Sequence, residues 1–196
     1  EVVRVGEVWD DSEQAALERA EKDGLTYIHP FADPAVIAGQ GTIAREMLKQ
    51  SPDIDVIVAG IGGGGLIAGI AIAAKAMKPD IKVVGVEPVG APTLSTSLAA
   101  GEVTTLDKIE SAAGTLSPKR SAQINLEIIR DKVDEIVLVT DDEMRDAAKW
   151  LWFEMSQGVE LAGAAALAAI RTGKVSAPDD QIIAAVVNGN GTAGIT

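Results

Sequence analysis

The sequence predicts a doubly wound α/β domain, a mostly parallel sheet with helices on both faces. Three observations carry this. Uncharged, β-branched runs alternate with segments of helical period along the chain. The candidate strand IKVVGVEP (81–88) is apolar on both faces, as a sheet covered twice requires. The run DVIVAG (55–60) enters four consecutive glycines and leaves as an alanine-rich helix, a strand–loop–helix joint.

In chain order, residues 2–5 read as a strand, and DDSEQAALERAEKDG (10–24) as a helix with an acidic start and a stop at Gly24. LTYIHPF (25–31) reads as a short strand ended by Pro30 and Pro34. The segment 34–52 is helical between Pro34 and Pro52, with Gly39 and Gly41 near its start. Strand 55–60, helix 66–79 and strand 81–88 follow. The stretch 89–118, rich in Ser, Thr, Gly and Pro, reads as loop with a short helix near 94–100. Helical period returns at 118–133 and DEIVLVT (134–140) is a strand. The next helix opens with Thr140 and Glu143 in capping-box spacing. Its WLWFEM cluster (150–155) reads as core, and ELAGAAALAAIRTG (160–173) as a buried helix. QIIAAVVNGNGTAG (181–194) is a strand running into a second glycine-rich turn.

The chain has 196 residues, room for one domain or one domain and part of another, and 47% are apolar, enough for a sizeable core. A net charge of −12 with no Lys/Arg run argues against nucleic acid and anionic membranes as partners. There is no cysteine and one histidine, which leaves little for thiolate metal sites, disulfides or a Ser-His-Asp triad. Residues 56–74 are uncharged and long enough to span a bilayer, but four central glycines, each about 0.8–1 kcal/mol worse than alanine in a helix, argue against a span. No signal peptide is evident, so a cytoplasmic location is expected. The opening EVVRVGEVW lacks an initiator Met and starts inside an apolar run, as a strand entered midway; the chain is expected to begin inside a larger protein.

A glycine loop between strand and helix presents backbone amides to an anion. A nucleotide P-loop is excluded, since no Gly-Lys-Ser/Thr follows. A dinucleotide fingerprint is not: Gly60, Gly62 and Gly65 fit G-x-G-x-x-G, and Glu87 ends the next strand where a ribose-binding acid belongs. A nicotinamide-binding domain is one reading; glycines serving only close helix–sheet packing are another.

HPFADPAVIAGQGTIAREML, VAGIGGGGLIAGIAIAAKAMKPDIKVVGVEP and VDEIVLVTDDEM, in that order and spacing, resemble the fold-type II pyridoxal-phosphate enzymes, in particular the threonine/serine dehydratases and serine racemase. The resemblance runs over residues 1–191. It implies that Gly62, Gly63, Gly64 and Gly65, with Leu66 after them, cradle the phosphate of pyridoxal 5′-phosphate. Gly114 would set a backbone group against the cofactor ring. Glu160 would lie close to the ring, or else serve as an acid favoured by the helix dipole in the first turn of the next helix. Asn188 falls where the family keeps a Ser, Thr or Cys facing the pyridine nitrogen; a neutral partner there suits elimination of a β-hydroxyl. Glu87 and the Ala91 carbonyl match two ligands of the divalent-cation site (Mg or Mn) of serine racemase, while the third, an aspartate, is replaced by Thr93, which weakens that site. His29 lies near the family's domain junction and reads as structural.

The resemblance divides the chain into a remnant of the small domain (1–32) and the C-terminal part of the large cofactor-binding domain (33–196). The family's Schiff-base lysine lies ahead of the matched region. None of the ten lysines here, all in helix or turn contexts by sequence, matches it, so the chain itself carries no catalytic residue. The implied whole is a lyase that deaminates L-threonine or L-serine to a 2-oxo acid and ammonia, with an amino-acid racemase as the alternative. The missing N-terminal part, as a cleaved segment or a second chain, and a second copy in a dimer are the expected partners, because the incomplete fold exposes an apolar face.

Overall fold

The computed structural model describes residues 2–6 and 9–195. Its seven α-helices among these residues are α1 (Trp9–Asp23), α2 (Pro34–Gln50), α3 (Gly65–Met77), α4 (Thr93–Ala100), α5 (Gln123–Lys132), α6 (Asp141–Met155) and α7 (Leu161–Arg171). The strands are β1 (Ile54–Gly60), β2 (Lys82–Pro88), β3 (Glu135–Val139) and β4 (Ile182–Ala185).

Short-range chemistry sets the helix ends. Asp33 caps α2 by accepting from the Ala35 amide at 2.7 Å, with Pro34 in the first turn where no amide is missed. Thr140 and Glu143 form the expected capping box on α6, at 2.7 and 3.2 Å.

All ladders are parallel, in the order β3-β2-β1-β4. Residues 56–74 thus divide into strand, loop and helix, and no helix among the described residues is long and apolar enough to cross a membrane. One core layer packs α6 and α7 on the sheet, around Val58, Val84, Met144 and Ala165. The other holds α2 and α3, with α4 and α5 beside them, around Ile57, Ile67, Leu94 and Ile129. A fully buried Ile or Leu contributes about 1.5–3 kcal/mol, so two such layers hold the sheet. Helices α2 and α3 touch at their backbones: a Cβ on Gly69 would collide with the Ile37 carbonyl, and one on Gly41 would stand 3.0 Å from the Gly69 carbonyl. The second glycine of GQGT is therefore a helix–helix contact.

Beyond β1 the chain moves outward to β2 and β3, then returns to the far side of β1 as β4. The direction reverses between β1 and β4, and a crevice at such a switch point lies beyond the carboxyl ends of those strands.

Several expectations are corrected. Residues 2–5 are exposed and form no strand, while Glu1, Glu7 and Val8 of the same stretch lie outside the described residues. Residues 25–31 form no ladder either, for want of a neighbouring strand. Their period-two alternation survives as side-chain contacts: Tyr27, His29 and Phe31 meet Trp9 and Glu13 of α1. Helix α5 starts at Gln123 rather than 118, because Arg120 pairs across to Thr105 in an antiparallel bridge. Lys82 opens a strand and pairs with Glu135 of the neighbouring strand at 2.9 Å. In WLWFEM only Leu151 is buried; Trp150 carries the Arg171 guanidinium 4.9 Å above its ring, and Trp152, Phe153 and Met155 are exposed.

Candidate functional site

A cavity of about 440 Å³ opens at that switch point, lined by residues 62–66, Gly114, Thr115, Glu160 and Asn188 among others. Every residue assigned to the cofactor from sequence thus lines one cavity, drawn from four separate parts of the chain.

Its floor is the loop between β1 and α3. Gly64 caps α3 in the left-handed conformation at φ 95°, which only glycine adopts without strain. The amides of Gly62, Gly63, Gly64, Gly65 and Leu66 have no acceptor among the described residues. A row of amides that lines a cavity at the N-terminus of a 13-residue helix suits an anion by both charge and geometry. The glycines are also imposed by the protein behind them. A Cβ on Gly62 would stand 2.7 Å from the Thr115 carbonyl, one on Gly63 would enter the Phe31 ring, and one on Gly65 would lie 2.5 Å from the Phe31 carbonyl. Packing and ligand access both demand the motif.

Glu160 occupies the N-cap of α7, but its carboxylate does not cap the helix. Oε1 instead accepts from the Thr115 hydroxyl at 3.0 Å, which ties α7 to the 3-10 turn Gly114–Leu116. Glu160 thus stands at the start of α7 and also lines the cavity. The Glu160 amide donates to the Gly189 carbonyl at 2.8 Å, and Gly163 lets α7 approach the Asn188 backbone, where a Cβ would collide with the Asn188 carbonyl. Asn188 itself is exposed at the rim. Gly114 faces open space, with nothing within 4 Å of where its Cβ would be.

Glu87 is fully buried and does not line the cavity. Its Oε1 accepts from the Leu94 amide at 2.7 Å, and Oε2 from the Ser95 amide and hydroxyl at 2.9 and 2.6 Å. Burial pushes this carboxyl above its ordinary value, against the opposing pull of the Ser95 hydroxyl and the two amides. Both oxygens are therefore engaged in holding the start of α4. Thr93 donates to the Pro118 carbonyl at 2.8 Å, and among the described residues no three His, Cys, Asp or Glu side chains gather as metal ligands. Glu87, Ala91 and Thr93 do not fit a divalent cation, nor can Glu87 reach a ribose as the nicotinamide reading requires.

His29 is structural. Its Nδ1 accepts from the Ala32 amide at 3.0 Å and Nε2 lies 3.1 Å from Glu13. Beside it, burial and then the Glu13 carboxylate push the Tyr27 hydroxyl up to about 12.

The sequence reading missed Thr115, Phe31, Ser121 and Asn125. The last two hold the glycine loop from behind: Ser121 Oγ and Asn125 Nδ2 both donate to the Gly63 carbonyl at 2.8 Å. Asn125 offered a signal, a polar residue four positions before Ile129 on the buried stripe of α5. Thr115 and Phe31 offered none, since nothing local marks what they touch.

Residues 1–189 match the family described as pyridoxal-phosphate dependent enzyme. The chain is 35% identical over 190 residues to an L-threonine ammonia-lyase of Thermotoga maritima, covering 97% of this chain and 47% of that protein. It is 40% identical to the catabolic L-threonine dehydratase of Escherichia coli K12, covering 89% and 53%. The processed threonine deaminase isoform 2 of Solanum lycopersicum superposes with a TM-score of 0.87 at 36% identity, over 96% of this chain and 53% of that one. Maize serine racemase gives 0.82 at 35%, over 93% and 58%. The chain thus spans about half the length of the relatives it matches. Over that span it belongs to the pyridoxal-phosphate dependent enzyme family.

Proposed function

We propose that this chain is the C-terminal, phosphate-binding part of a pyridoxal-phosphate-dependent dehydratase that converts L-threonine or L-serine to a 2-oxo acid and ammonia. The observation that carries the reading is the row of acceptor-free amides at residues 62–66, facing a cavity lined by Gly114, Glu160 and Asn188. The names of the relatives supply the substrate class. When bound, the cofactor supplies an electron sink for the carbon next to the amino group.

This chain's own residues bind and orient it. The loop amides hold the phosphate, and the helix dipole of α3 favours its charge. The backbone at Gly114 meets one side of the ring, and Thr115 fixes the Glu160 carboxylate beside it. Asn188, uncharged, partners the pyridine nitrogen. The lysine that moves the α-proton belongs to the segment preceding the match, which joins this chain as a continuous or separate polypeptide. In this reading residues 1–32 come from the small domain and 33–196 from the large one, and the assembly is a cytoplasmic homodimer. Helix α1 supports the division, for it buries none of its residues.

Intact-mass spectrometry of the protein from its source, before and after borohydride reduction, tests this together with a product assay on L-threonine and L-serine. A reduced pyridoxyl group on the preceding segment, with 2-oxo acid released, is the expected result. D-serine in place of 2-oxo acid would favour the racemase, a relative of which superposes on this chain with a TM-score of 0.82. No pyridoxyl mass and no product would overturn both.

A further inference from the structure

Neither Ser121 nor Asn125 lines the cavity, yet both point at its floor. The Gly63 carbonyl receives two donors at 2.8 Å, the Ser121 hydroxyl and the Asn125 side-chain amide. Asn125 Nδ2 uses its other hydrogen on the Phe31 carbonyl, also at 2.8 Å. The reverse orientation of that amide would set an oxygen against two carbonyls, so the donors fix it. Asn125 is fully buried, and its Oδ1 has no partner among the described residues. A buried acceptor without a donor is costly, and an apolar side chain would avoid the cost. The work the side chain does is all on Nδ2: it holds two carbonyls.

A trans peptide is planar, with its N–H opposite its C=O. Drawing the Gly63 oxygen back between Ser121 and Asn125 turns the Gly64 N–H the other way, toward the cavity side of the loop. That amide has no acceptor among the described residues. Glycine at 63 and 64 would otherwise let this peptide rotate freely.

We propose that Ser121 and Asn125 are positioning residues that lock the Gly63–Gly64 peptide and so aim the Gly64 N–H at the cofactor phosphate. The proposal rests on the cofactor reading above. It adds that the cradle is set before the ligand arrives, by two side chains the ligand never touches.

The test uses Ser121→Ala, Asn125→Leu and their double variant, with Ser121→Thr as the hydroxyl-retaining control, all in the full chain. The ligand-free Gly63 carbonyl ¹³C resonance reads the lock directly, because it moves upfield as hydrogen bonds to that oxygen are lost. Binding is read with pyridoxine 5′-phosphate, which lacks the reactive aldehyde, and with pyridoxine. The resonance should move in Ser121→Ala and further in the double variant. Affinity for the phosphate ester should fall about 10- to 100-fold in the double variant, the scale of one hydrogen bond to a charged group, with pyridoxine unchanged. Ser121→Thr should behave as wild type. An unmoved resonance in folded variants would overturn the lock. So would parallel losses for both ligands, or full phosphate affinity despite a moved resonance. A wild-type chain that binds neither ligand breaks the cofactor reading and removes the phosphate as the target, while the Gly63 resonance still decides whether the lock exists.

Discussion

Two glycine-rich turns, after β1 and after β4, share one cavity and are built in opposite ways. The first is enclosed: Phe31, Thr115 and Leu94 fill the space where its Cβ atoms would be, and Gly63 is held from behind by two side chains. The second, residues 188–191, is exposed at Asn188 and Asn190 and is tied to the fold by backbone bonds from Glu160 to Gly189 and from Gly191 to Gly158. β4, which leads into it, pairs with β1 alone among the described residues, whereas β1 lies between two strands. The difference is one of completeness. The glycine loop after β1 is enclosed by residues within this chain, and the far wall of the cavity lies beside a strand with no second neighbour among the described residues.

The sharpest way to break this comparison is to add a methyl group to the enclosed turn and another to an open part of the same cavity's wall, the 3-10 turn at Gly114. Gly65→Ala drives a Cβ to 2.5 Å from the Phe31 carbonyl, a backbone atom that cannot rotate away. A stability loss of about 3 kcal/mol, the upper end for overpacking, is expected in denaturant titration. Gly114→Ala, in open space with ordinary φ, should stay within about 0.5 kcal/mol of wild type. Equal losses at both positions would remove the distinction between an enclosed and an open wall.

A smaller effect is expected at Glu87, which anchors α4 beside the enclosed turn. Glu87→Gln should cost about 1–2 kcal/mol at acidic pH through weaker capping of Leu94 and Ser95. The sign with pH follows from burial. A carboxyl raised in the folded state binds its proton more tightly there than when unfolded, so its contribution is complete below the ordinary value of 4.5 and lost as pH rises through the folded value. The gap between wild type and Glu87→Gln should therefore narrow as pH rises, and a widening gap would refute this.

Asp55 has the opposite sign and holds the open side. The Ile182 amide, at 3.0 Å, and then Lys78 keep its carboxyl below the ordinary 3.8. Its contribution is present above 3.8 and lost as pH falls through the folded value. Protection of the β4 amides, corrected for the intrinsic exchange rate, should fall on acidification before that of β1 does, and Asp55→Asn should abolish that lead. The smallest change is Thr115→Val, which removes the 3.0 Å bond to Glu160. It should alter stability by less than about 1 kcal/mol, because the freed carboxylate reaches solvent through the open wall. A larger loss would mean that the wall is more closed than Asn188 suggests.

Much of the fold was legible. Periodicity located six of the seven helices near their observed limits, misplaced the start of α5, and located all four strands of the sheet, because those segments bury a face against a neighbour. It failed where the neighbour is missing: residues 2–5 and 25–31 carry strand composition but find no ladder. It misjudged WLWFEM for the same reason, since aromatic composition does not say whether a surface covers it. The cavity lining at 62–66, Gly114, Glu160 and Asn188 came from resemblance, and the chain folds so that these residues meet. Glu87 was misread because a strand-end acid looks alike whether it faces a ligand or caps a helix seven residues on.

By itself, then, the sequence determined which segments are strands and helices, that the sheet is parallel and covered twice, and that a glycine loop follows β1. Those properties reside in local period, caps and glycine conformations, which neighbours in sequence set. Only the tertiary structure decided that Ser121 and Asn125, just before and within α5, supply the two donors behind Gly63, that Thr115 crosses to Glu160, and that Glu87 turns inward to α4. These are contacts between residues 7 to 62 positions apart, fixed by how the layers pack and invisible to any local pattern.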